Sequence, residues 1–518
     1  MRKTLLFSFV LSTALLAHPP GLNAAADQRV KARIGVDRQR VKVGEAVHFS
    51  ATASLAGKGA ELVAAFWDFD DLDQVGVDAL GDSVSHVYNH TGAYSVRLTV
   101  ENNIGERDQA TAFVEVLPDT DQGPLITDNF AGGKTGVFFA SPETFAFRLE
   151  WGGQFYFRLD NCRNMPVSLK IEGYGPNRLQ LPSVTPYSDD YSFDSLFTLM
   201  MNSDYLEPDW QPLSGAKYAY DENSATLTVN FTPDRQPLYL AWASPYTPAR
   251  LEALLDRWED RPEFAWRTIG LSAESRPIYA ITLTDQKSEN KDKKSVWIIG
   301  TQHAYEMAGP SVCEGLISTL LEDSDSARSM LRDYVFNLVP MVNPDGVIHG
   351  GYRYNMHNVD LNRNWDNQAP NPWDRTISEP EVASVKRALR DWVDSGGGLD
   401  MFFDFHCLTA IAGDLLLIKA QPDSIPEPIK AAEDRFAREF FAKKYVLRIS
   451  ESDFIGSSDS WVSHEYAADT GVLSFTSEHS LGWVTRAGGK PFRSTPAFWR
   501  ELGGYYVWTI RNYFASAK

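Results

Sequence analysis

Residues 296–306 read VWIIGTQHAYE, and this stretch decides how the rest of the chain is interpreted. The apolar run from Val296 to Gly300 predicts a buried β-strand, and His303 and Glu306 follow directly after it. Open α/β sheets place their ligand sites at the carboxyl ends of strands. Because the two side chains are three residues apart in a turn, they can converge on one ion.

A second histidine occupies the same position relative to another predicted strand. His406 ends the run from Met401 to Phe405, so it can supply a third ligand at a neighbouring strand end. Two imidazoles and one carboxylate form a ligand set of hydrolytic zinc sites, which keep the fourth position for water. Taken alone, however, His-x-x-Glu arises by chance in many proteins as a solvated or hydrogen-bonded pair.

The sequence around these residues alternates between strand and helix patterns. This alternation predicts an α/β domain with a mixed, largely parallel central sheet. Ser378 and Glu381 have the spacing of a capping box at the start of one helix. Strands are predicted at 278–283, 295–299, 335–339, 401–405, 445–449 and 472–475, and helices at 249–258, 311–321, 379–393, 431–441 and 496–514.

The preceding part of the chain has the period of two that is typical of antiparallel sheets. Residues 29–117 alternate apolar and polar positions between turn residues, with Trp67 in one of the strands. A second strand-rich stretch covers 119–245, with candidate strands at 145–150, 154–159, 167–172, 225–232 and 238–243.

Length, charge and cysteine content limit the classes of function. The 518 residues predict two to four domains, and a net charge of -19 argues against nucleic acid or an anionic membrane as a partner. Only three cysteines are present, so disulfides do not carry the fold. Residues 1–26 resemble a secretory signal, which predicts export to the periplasm or medium, and no membrane span is expected.

Three further motifs resemble, in order and spacing, those of the zinc metallocarboxypeptidase family, and most closely its cytosolic carboxypeptidase branch. The resemblance covers roughly residues 246–515. The motifs are Asn343-Pro344-Asp345-Gly346-Val347, Gly350-Gly351-Tyr352-Arg353 and Val359-Asp360-Leu361-Asn362-Arg363-Asn364-Trp365.

The two β-rich stretches also resemble known domains. The segment from Phe66 to Asp71, with the run from Val84 to Val100, is similar to the immunoglobulin-like PKD domain. The segments 153–161 and 239–247 are similar to the amino-terminal β-sandwich of cytosolic-type carboxypeptidases. The implied organisation is a signal peptide at 1–26, a PKD-like β-sandwich at 27–118, a second β-sandwich at 119–245 and a catalytic domain at 246–518.

The family resemblance implies a role for each residue of the site. His303, Glu306 and His406 would hold one zinc ion per catalytic domain, and Asp360 would orient His303. Glu478 would take a proton from water and pass it to the leaving amine, while Arg353 would stabilise the oxyanion. Asn362 and Arg363 would hold the carboxylate at the end of a peptide or protein substrate.

Two positions depart from the family pattern. Tyr305 stands where some digestive members carry a substrate-binding arginine. Those members also use a mobile tyrosine, for which Tyr466 is the nearest candidate here although its spacing fits poorly. The loop from Gly456 to Asp459 is expected to line the pocket for the terminal side chain.

Three alternatives to an ordinary exopeptidase stay open at this point. One is a cell-wall peptide hydrolase or an amidase that acts on a carboxylate-bearing substrate. Another is deglutamylation, for which a basic pocket would be needed from Lys443, Lys444, Arg448 or Arg486. The third is a non-catalytic surface-binding protein.

Two interpretations of the PKD-like domain also stay open. It is either a spacer or weak binder of polymer or protein surfaces, or simply a packed sandwich in which Trp67 is a core residue.

Overall fold

The computed structural model describes residues 29–69, 76–119, 123–135, 137–140, 144–148, 155–172, 199–205, 209–221, 223–365, 378–408, 415–419, 426–441, 447–451, 471–485 and 491–516. We refer to 29–119 as the N-terminal region, 123–241 as the middle region and 248–516 as the C-terminal region. In the described residues, no helix is both long and apolar enough to span a bilayer.

The N-terminal region consists of two sheets over one core. Phe49 and Trp67 come from different sheets and are both buried in it. Trp67 Nε1 donates to Gly81 O at 2.8 Å, so this tryptophan is a core residue. The sheets have the strand orders β1-β3-β6 and β2-β8-β7-β4-β5. The strands are β1 (Gly35–Val36), β2 (Arg40–Lys42), β3 (Ala46–Ser50), β4 (Leu62–Asp68), β5 (Ala79–Leu80), β6 (Ser83–Val87), β7 (Gly92–Asn102) and β8 (Arg107–Leu117).

The middle region also contains two sheets, each of five strands. Leu169 from one sheet and Leu240 from the other are buried in the same core cluster. The sheet orders are β10-β11-β13-β17-β16 and β15-β14-β18-β12-β9. The strands are β9 (Leu125–Thr127), β10 (Val137–Ala140), β11 (Thr144–Arg148), β12 (Tyr156–Asp160), β13 (Val167–Glu172), β14 (Met200–Asn202), β15 (Gln211–Pro212), β16 (Lys217–Asp221), β17 (Thr226–Phe231) and β18 (Leu238–Ala241).

The C-terminal region is built on an eight-stranded sheet with helices against it. The strands are β19 (Phe264–Leu271), β20 (Pro277–Leu283), β21 (Lys294–Gly300), β22 (Tyr334–Val339), β23 (Met401–Leu408), β24 (Leu415–Lys419), β25 (Leu447–Glu451), β26 (Leu473–Ser480), β27 (Trp483–Thr485) and β28 (Pro491–Arg493). The last two form a separate pair. The helices are α1 (Pro248–Trp258), α2 (Ala308–Leu320), α3 (Asp325–Asp333), α4 (Pro344–Ile348), α5 (Pro380–Asp394), α6 (Glu427–Phe441) and α7 (Pro496–Ala515), and 3-10 turns cover Asn290–Asp292 and Leu361–Arg363.

The large sheet is mixed, with strand order β19-β20-β22-β21-β23-β26-β24-β25. Its four central strands β22, β21, β23 and β26 are parallel to one another, and β24 is parallel to β25. The pairs β19–β20, β20–β22 and β24–β26 are antiparallel, so the sheet is only partly parallel. In β21 every residue from Ser295 to Gly300 is buried, because helices cover both faces of a central parallel strand.

Helices α2 and α7 cross at unusually short distance behind this sheet. A Cβ atom at Gly315 would lie 1.9 Å from Arg500 O, and one at Gly503 would lie 2.1 Å from Val312 O. The two glycines therefore permit the close approach that brings α7 against the strands of the site.

The predicted capping box is wrong. Helix α5 begins at Pro380, its N-cap is Glu379, and no side chain caps it. The Ser378 hydroxyl donates to Asn364 O at 3.3 Å instead, and Glu381 accepts from Ala273 N at 3.0 Å. These longer-range bonds replace the local ones that the spacing predicts.

The N-terminal and middle regions are joined through buried polar groups. Arg158 of β12 has no exposed side-chain surface and donates to Gly92 O at 2.9 Å and Val116 O at 2.8 Å. Tyr239 OH donates to Glu115 Oε1 at 2.5 Å, and the Glu115 carboxylate lies 3.7 Å from Arg158. The N-terminal region therefore packs as a fixed part of the molecule.

Candidate metal centre

The site lies at the carboxyl ends of three adjacent parallel strands, β21, β23 and β26. Gly300, the last residue of β21, pairs with Phe405, and the next residue along β23, His406, pairs with Glu478. The chain leaves β21 through Thr301 in the left-handed conformation, with φ of 54°. This sharp turn directs the following residues over the strand ends.

The three predicted ligands come together in the structure. His303, Glu306 and His406 are all buried, and one donor atom from each lies within 4.8 Å of the others. Glu306 Oε1 lies 2.8 Å from His303 Nδ1, and Glu306 Oε2 lies 2.6 Å from His406 Nδ1. The two Nδ1 atoms are 3.1 Å apart. A tetrahedral zinc ion with bonds of about 2.0–2.1 Å keeps its ligand atoms about 3.3 Å apart, so the spacing fits.

Each imidazole also has a carboxylate on its far side. His303 Nε2 lies 3.1 Å from Asp360 Oδ1, and His406 Nε2 lies 2.7 Å from Asp404 Oδ2. Such carboxylates fix the proton on the distal nitrogen and leave Nδ1 as the atom that faces the metal. The geometry thus assigns the same ligand atom, Nδ1, to both histidines.

The electrostatics of the cluster call for a cation. Burial alone would raise the pKa of Glu306, but His303 and His406 lower it overall. Burial alone would lower the pKa of His406, but the carboxylates of Asp404 and Glu306 raise it well above its usual value. With Asp360 at His303, three carboxylates surround the two imidazoles, and a divalent cation would balance their charge when both imidazoles are neutral ligands. The residues present therefore fit a zinc ion.

Glu478 is partly exposed and faces the ligand cluster from β26. Burial and the neighbouring Glu306 raise the pKa of Glu478 to about 7, while His406 and His303 oppose the rise. A carboxyl group with this pKa can both accept and return a proton near neutral pH.

Arg353 and Asp360 form a pair at the edge of the site. Arg353 Nε donates to Asp360 Oδ2 at 2.7 Å. The other oxygen of Asp360 accepts from Asn362 N at 3.0 Å, in addition to its contact with His303. One carboxylate therefore connects a metal ligand with the segment that carries the predicted substrate contacts.

Asn362 and Arg363 lie in the 3-10 turn that follows Asp360. Asn362 is buried, and its Nδ2 lies 3.1 Å from His406 Nε2. Arg363 is partly exposed, and its Nη1 donates to Asn362 O at 2.8 Å. Asn362 thus borders the ligand cluster, and Arg363 lies next to it in the same turn.

Some predicted residues lie outside the described part of the chain. Tyr466, the segment 456–459, Lys443, Lys444 and Arg486 belong to this group, and Arg448 lies in β25 but its side chain is not described. Tyr305, the departure from the family pattern, is buried and stacks on Tyr352 with ring centroids 4.5 Å apart. Its hydroxyl donates to Cys407 O at 3.4 Å.

Two buried polar residues of the site were missed by the sequence interpretation. Asp404 stands two residues before His406, and residues at i and i+2 of a strand share a face, so this spacing could have indicated it. Gln302 precedes His303 and donates through Nε2 to Asp404 Oδ2 at 2.7 Å. No local signal identifies Gln302, because its contacts depend on the turn at Thr301.

Comparison with family models identifies two segments. Residues 251–416 match the zinc carboxypeptidase family, and residues 30–116 match the PKD domain. The first segment contains His303, Glu306 and His406, whose convergence was described above. The two matches confirm the resemblances to the zinc carboxypeptidase family and to the PKD domain.

Individual relatives agree with these matches. The chain is 30% identical to human (Homo sapiens) cytosolic carboxypeptidase 6 over 277 residues, which is 51% of this chain and 52% of that protein. The mouse (Mus musculus) protein is 28% identical over 276 residues, 51% of this chain and 48% of that protein. The matched segment thus spans about half the length of these relatives.

A solved structure shares the fold over a larger part of the chain. A metallo-carboxypeptidase from Burkholderia cenocepacia superposes with a TM-score of 0.62 at 23% identity, and the match covers 77% of this chain and all of that chain. The family matches thus identify a zinc carboxypeptidase domain in residues 251–416, which follows a PKD domain at residues 30–116.

Proposed function

We propose that this protein is a zinc-dependent carboxypeptidase that releases carboxyl-terminal residues from peptides or proteins. The observation that carries the proposal is the convergence of His303, Glu306 and His406, with Glu478 on the neighbouring strand. A zinc ion bound by these three residues would polarise a substrate carbonyl and lower the pKa of water.

The proton transfer is assigned to Glu478. From its position opposite the metal ligand His406, the carboxylate can take a proton from the attacking water and then return it to the leaving amine. No other carboxylate serves as well among the described residues of the site. Glu306 faces both histidines, and Asp360 and Asp404 each face one ring nitrogen.

Arg353 is proposed to stabilise the negative charge that develops on the carbonyl oxygen. Its Nε is held by Asp360, so the guanidinium has a fixed position and its terminal amino groups can bind an oxyanion. Asn362 and Arg363 are proposed to bind the terminal carboxylate of the substrate. Together these residues would restrict attack to the last peptide bond.

The proposed activity is tested by the products of peptide digestion. Zinc-loaded protein is expected to release single amino acids from the carboxyl ends of a linear peptide library, as read by mass spectrometry. Activity should disappear with a chelator and return with zinc. Cleavage of peptidoglycan fragments without release from linear peptides would instead favour the cell-wall hydrolase or amidase, and metal-free inactive protein would favour the binding protein.

Two further assignments accompany this proposal. Residues 119–245 are proposed to be the β-sandwich that precedes the catalytic domain in cytosolic-type carboxypeptidases, which is supported by two sheets that share a core. Residues 1–26 are proposed to be a secretory signal, so that the protein is periplasmic or extracellular. Amino-terminal sequencing of protein recovered outside the cytoplasm tests this, with cleavage expected near Ala26. Weak contact of the PKD domain with polymers stays a prediction.

A further inference from the structure

Gln302 is a fully buried amide next to the first metal ligand, and its hydrogen bonds link both sides of the site. Its Oε1 accepts from Trp365 Nε1 at 2.8 Å. Its Nε2 lies 2.7 Å from Asp404 Oδ2 and 3.2 Å from Asn362 Oδ1. One side chain therefore touches an indole, a carboxylate and a second amide.

The hydrogen-bonding partners of Gln302 determine which way its side-chain amide is turned. An indole N–H can only donate and a carboxylate can only accept, so Gln302 must present Oε1 to Trp365 and Nε2 to Asp404. The same Nε2 group then donates to Asn362 and requires that amide to present Oδ1. Asn362 Nδ2, the donor end, consequently lies on the opposite side, 3.1 Å from His406 Nε2.

The contact with His406 does not reverse this orientation. His406 Nε2 lies 2.7 Å from Asp404 Oδ2 and donates its proton there, so it offers no lone pair to Asn362 Nδ2 at 3.1 Å. If the amide were turned, with Oδ1 at His406, the hydrogen bond from Gln302 Nε2 would be lost, whereas His406 Nε2 keeps its bond to Asp404 in either orientation. The bonds through Gln302 therefore decide which end of the Asn362 amide faces His406.

We propose that Trp365 and Gln302 are positioning residues that hold Asn362 with its N–H donors towards the substrate carboxylate, and thereby give the site its preference for a free carboxyl terminus. This inference rests on the proposed function of Asn362. A carboxylate accepts hydrogen bonds but donates none, whereas a terminal amide also presents N–H groups. A fixed donor at this position thus favours the carboxylate, and an amide that turns freely does not.

The test compares a peptide that has a free carboxyl terminus with the same peptide amide. In wild-type protein the ratio of kcat/KM for the two substrates measures the preference. Trp365→Phe removes only the indole donor, and Gln302→Leu removes the amide; each is expected to lower the preference by about tenfold, mainly through KM of the free peptide. Trp297→Phe is the matched control, because Trp297 is equally buried and its Nε1 has no hydrogen-bond partner in the described part of the chain.

A binding measurement separates this role from a general loss of structure. A non-hydrolysed N-acyl amino acid and its amide are titrated by calorimetry into each variant, with zinc content and melting temperature determined in parallel. The affinity for the acid should fall about tenfold in Trp365→Phe and Gln302→Leu, while that for the amide stays within twofold. In an Asn362→Ala background, Trp365→Phe should have no further effect on the ratio.

The outcomes are distinguishable from failure of the proposed function. If the wild type shows no preference for the free carboxylate, the proposed role of Asn362 fails and the inference fails with it. If the wild type shows the preference and Trp365→Phe retains it, only the inference is overturned. A loss of preference that persists unchanged in the Asn362→Ala background also overturns it.

Discussion

Glu478 lies directly opposite His406 in the pairing of two parallel strands, β23 and β26. Because a strand pair fixes residues across it within a few ångströms, the register itself brings the proposed base to a metal ligand. The two residues are 72 positions apart in the chain, so their proximity depends on the sheet order β21-β23-β26.

Asp404 is expected to strengthen zinc binding through His406. Asp404→Asn removes the negative charge beside Nε2, so the dissociation constant for zinc should rise roughly 10–100-fold. Competition with a fluorescent chelator measures this constant. Asp400→Asn is the control, because Asp400 lies next to the same strand and pairs with Lys294 at the surface. An unchanged zinc affinity in Asp404→Asn would contradict the assigned role.

The pH dependence of kcat/KM should have an acid limb set by Glu478. The base acts in its ionised form, and burial beside Glu306 raises the pKa of Glu478 to about 7 in the absence of metal. A bound cation lowers this pKa, so the limb of the zinc-loaded enzyme should lie between the ordinary value of about 4.3 and 7. Activity is therefore expected to fall as pH falls through this window, at constant zinc content. A rate that is unchanged from pH 8 to pH 4 contradicts the assignment.

Arg158 is predicted to be essential for the junction between the N-terminal and middle regions. Arg158→Met leaves the buried carboxylate of Asp160 without its cation, and Gly92 O and Val116 O without their donor, which should cost about 3–5 kcal/mol of unfolding free energy. Urea unfolding followed by tryptophan fluorescence measures the loss. Arg163→Met, a change of the same type at an exposed position, should have little effect. Equal midpoints for the two variants would show that the junction does not depend on this group.

Removal of the Asp160 charge is expected to have the opposite effect on stability to removal of the Arg158 charge. Burial raises the pKa of Asp160 from 3.8 to about 6, even though Arg158 lowers it, and its Oδ1 has no partner in the described residues. Because the pKa of Asp160 is higher in the folded than in the unfolded protein, the folded protein loses stability as pH rises from about 4 to 6. The shift in pKa corresponds to a loss of roughly 3 kcal/mol.

Asp160→Asn should therefore be at least as stable as wild type at pH 7, and its advantage should vanish below about pH 4, where the aspartate is protonated. Melting temperatures at pH 7 and pH 4 test this. The sign of the effect would be contradicted if the variant were less stable than wild type at pH 7, by the same margin as at pH 4.

Much of the C-terminal region could be predicted because its strong periodicities are local. The run 295–299 predicts β21 and the helical spacing of 496–514 predicts α7, and both are present with boundaries shifted by at most one residue. Helix α3 and strand β19 were not predicted. β19 is an edge strand with several exposed residues, and α3 is short and mostly polar, so neither has a clear apolar pattern.

The packing between regions could not be predicted for a physical reason. Arg158 alternates with apolar residues in β12, which is the pattern of a side chain that faces water. The structure buries it against Gly92 and Val116, from a part of the chain more than forty residues away. Gln302 is similar, since its partners Asn362 and Asp404 are brought to it only by the complete sheet.

The central claim is that a zinc site uses Glu478 as its base, and single-turnover hydrolysis by zinc-loaded Glu478→Gln tests it most directly. Glutamine keeps the size of the side chain but cannot accept the proton, so the rate should fall roughly 10²–10⁴-fold while bound zinc and substrate affinity are retained. A Glu478→Gln enzyme that holds zinc and hydrolyses carboxyl-terminal bonds at the wild-type rate would contradict the mechanism.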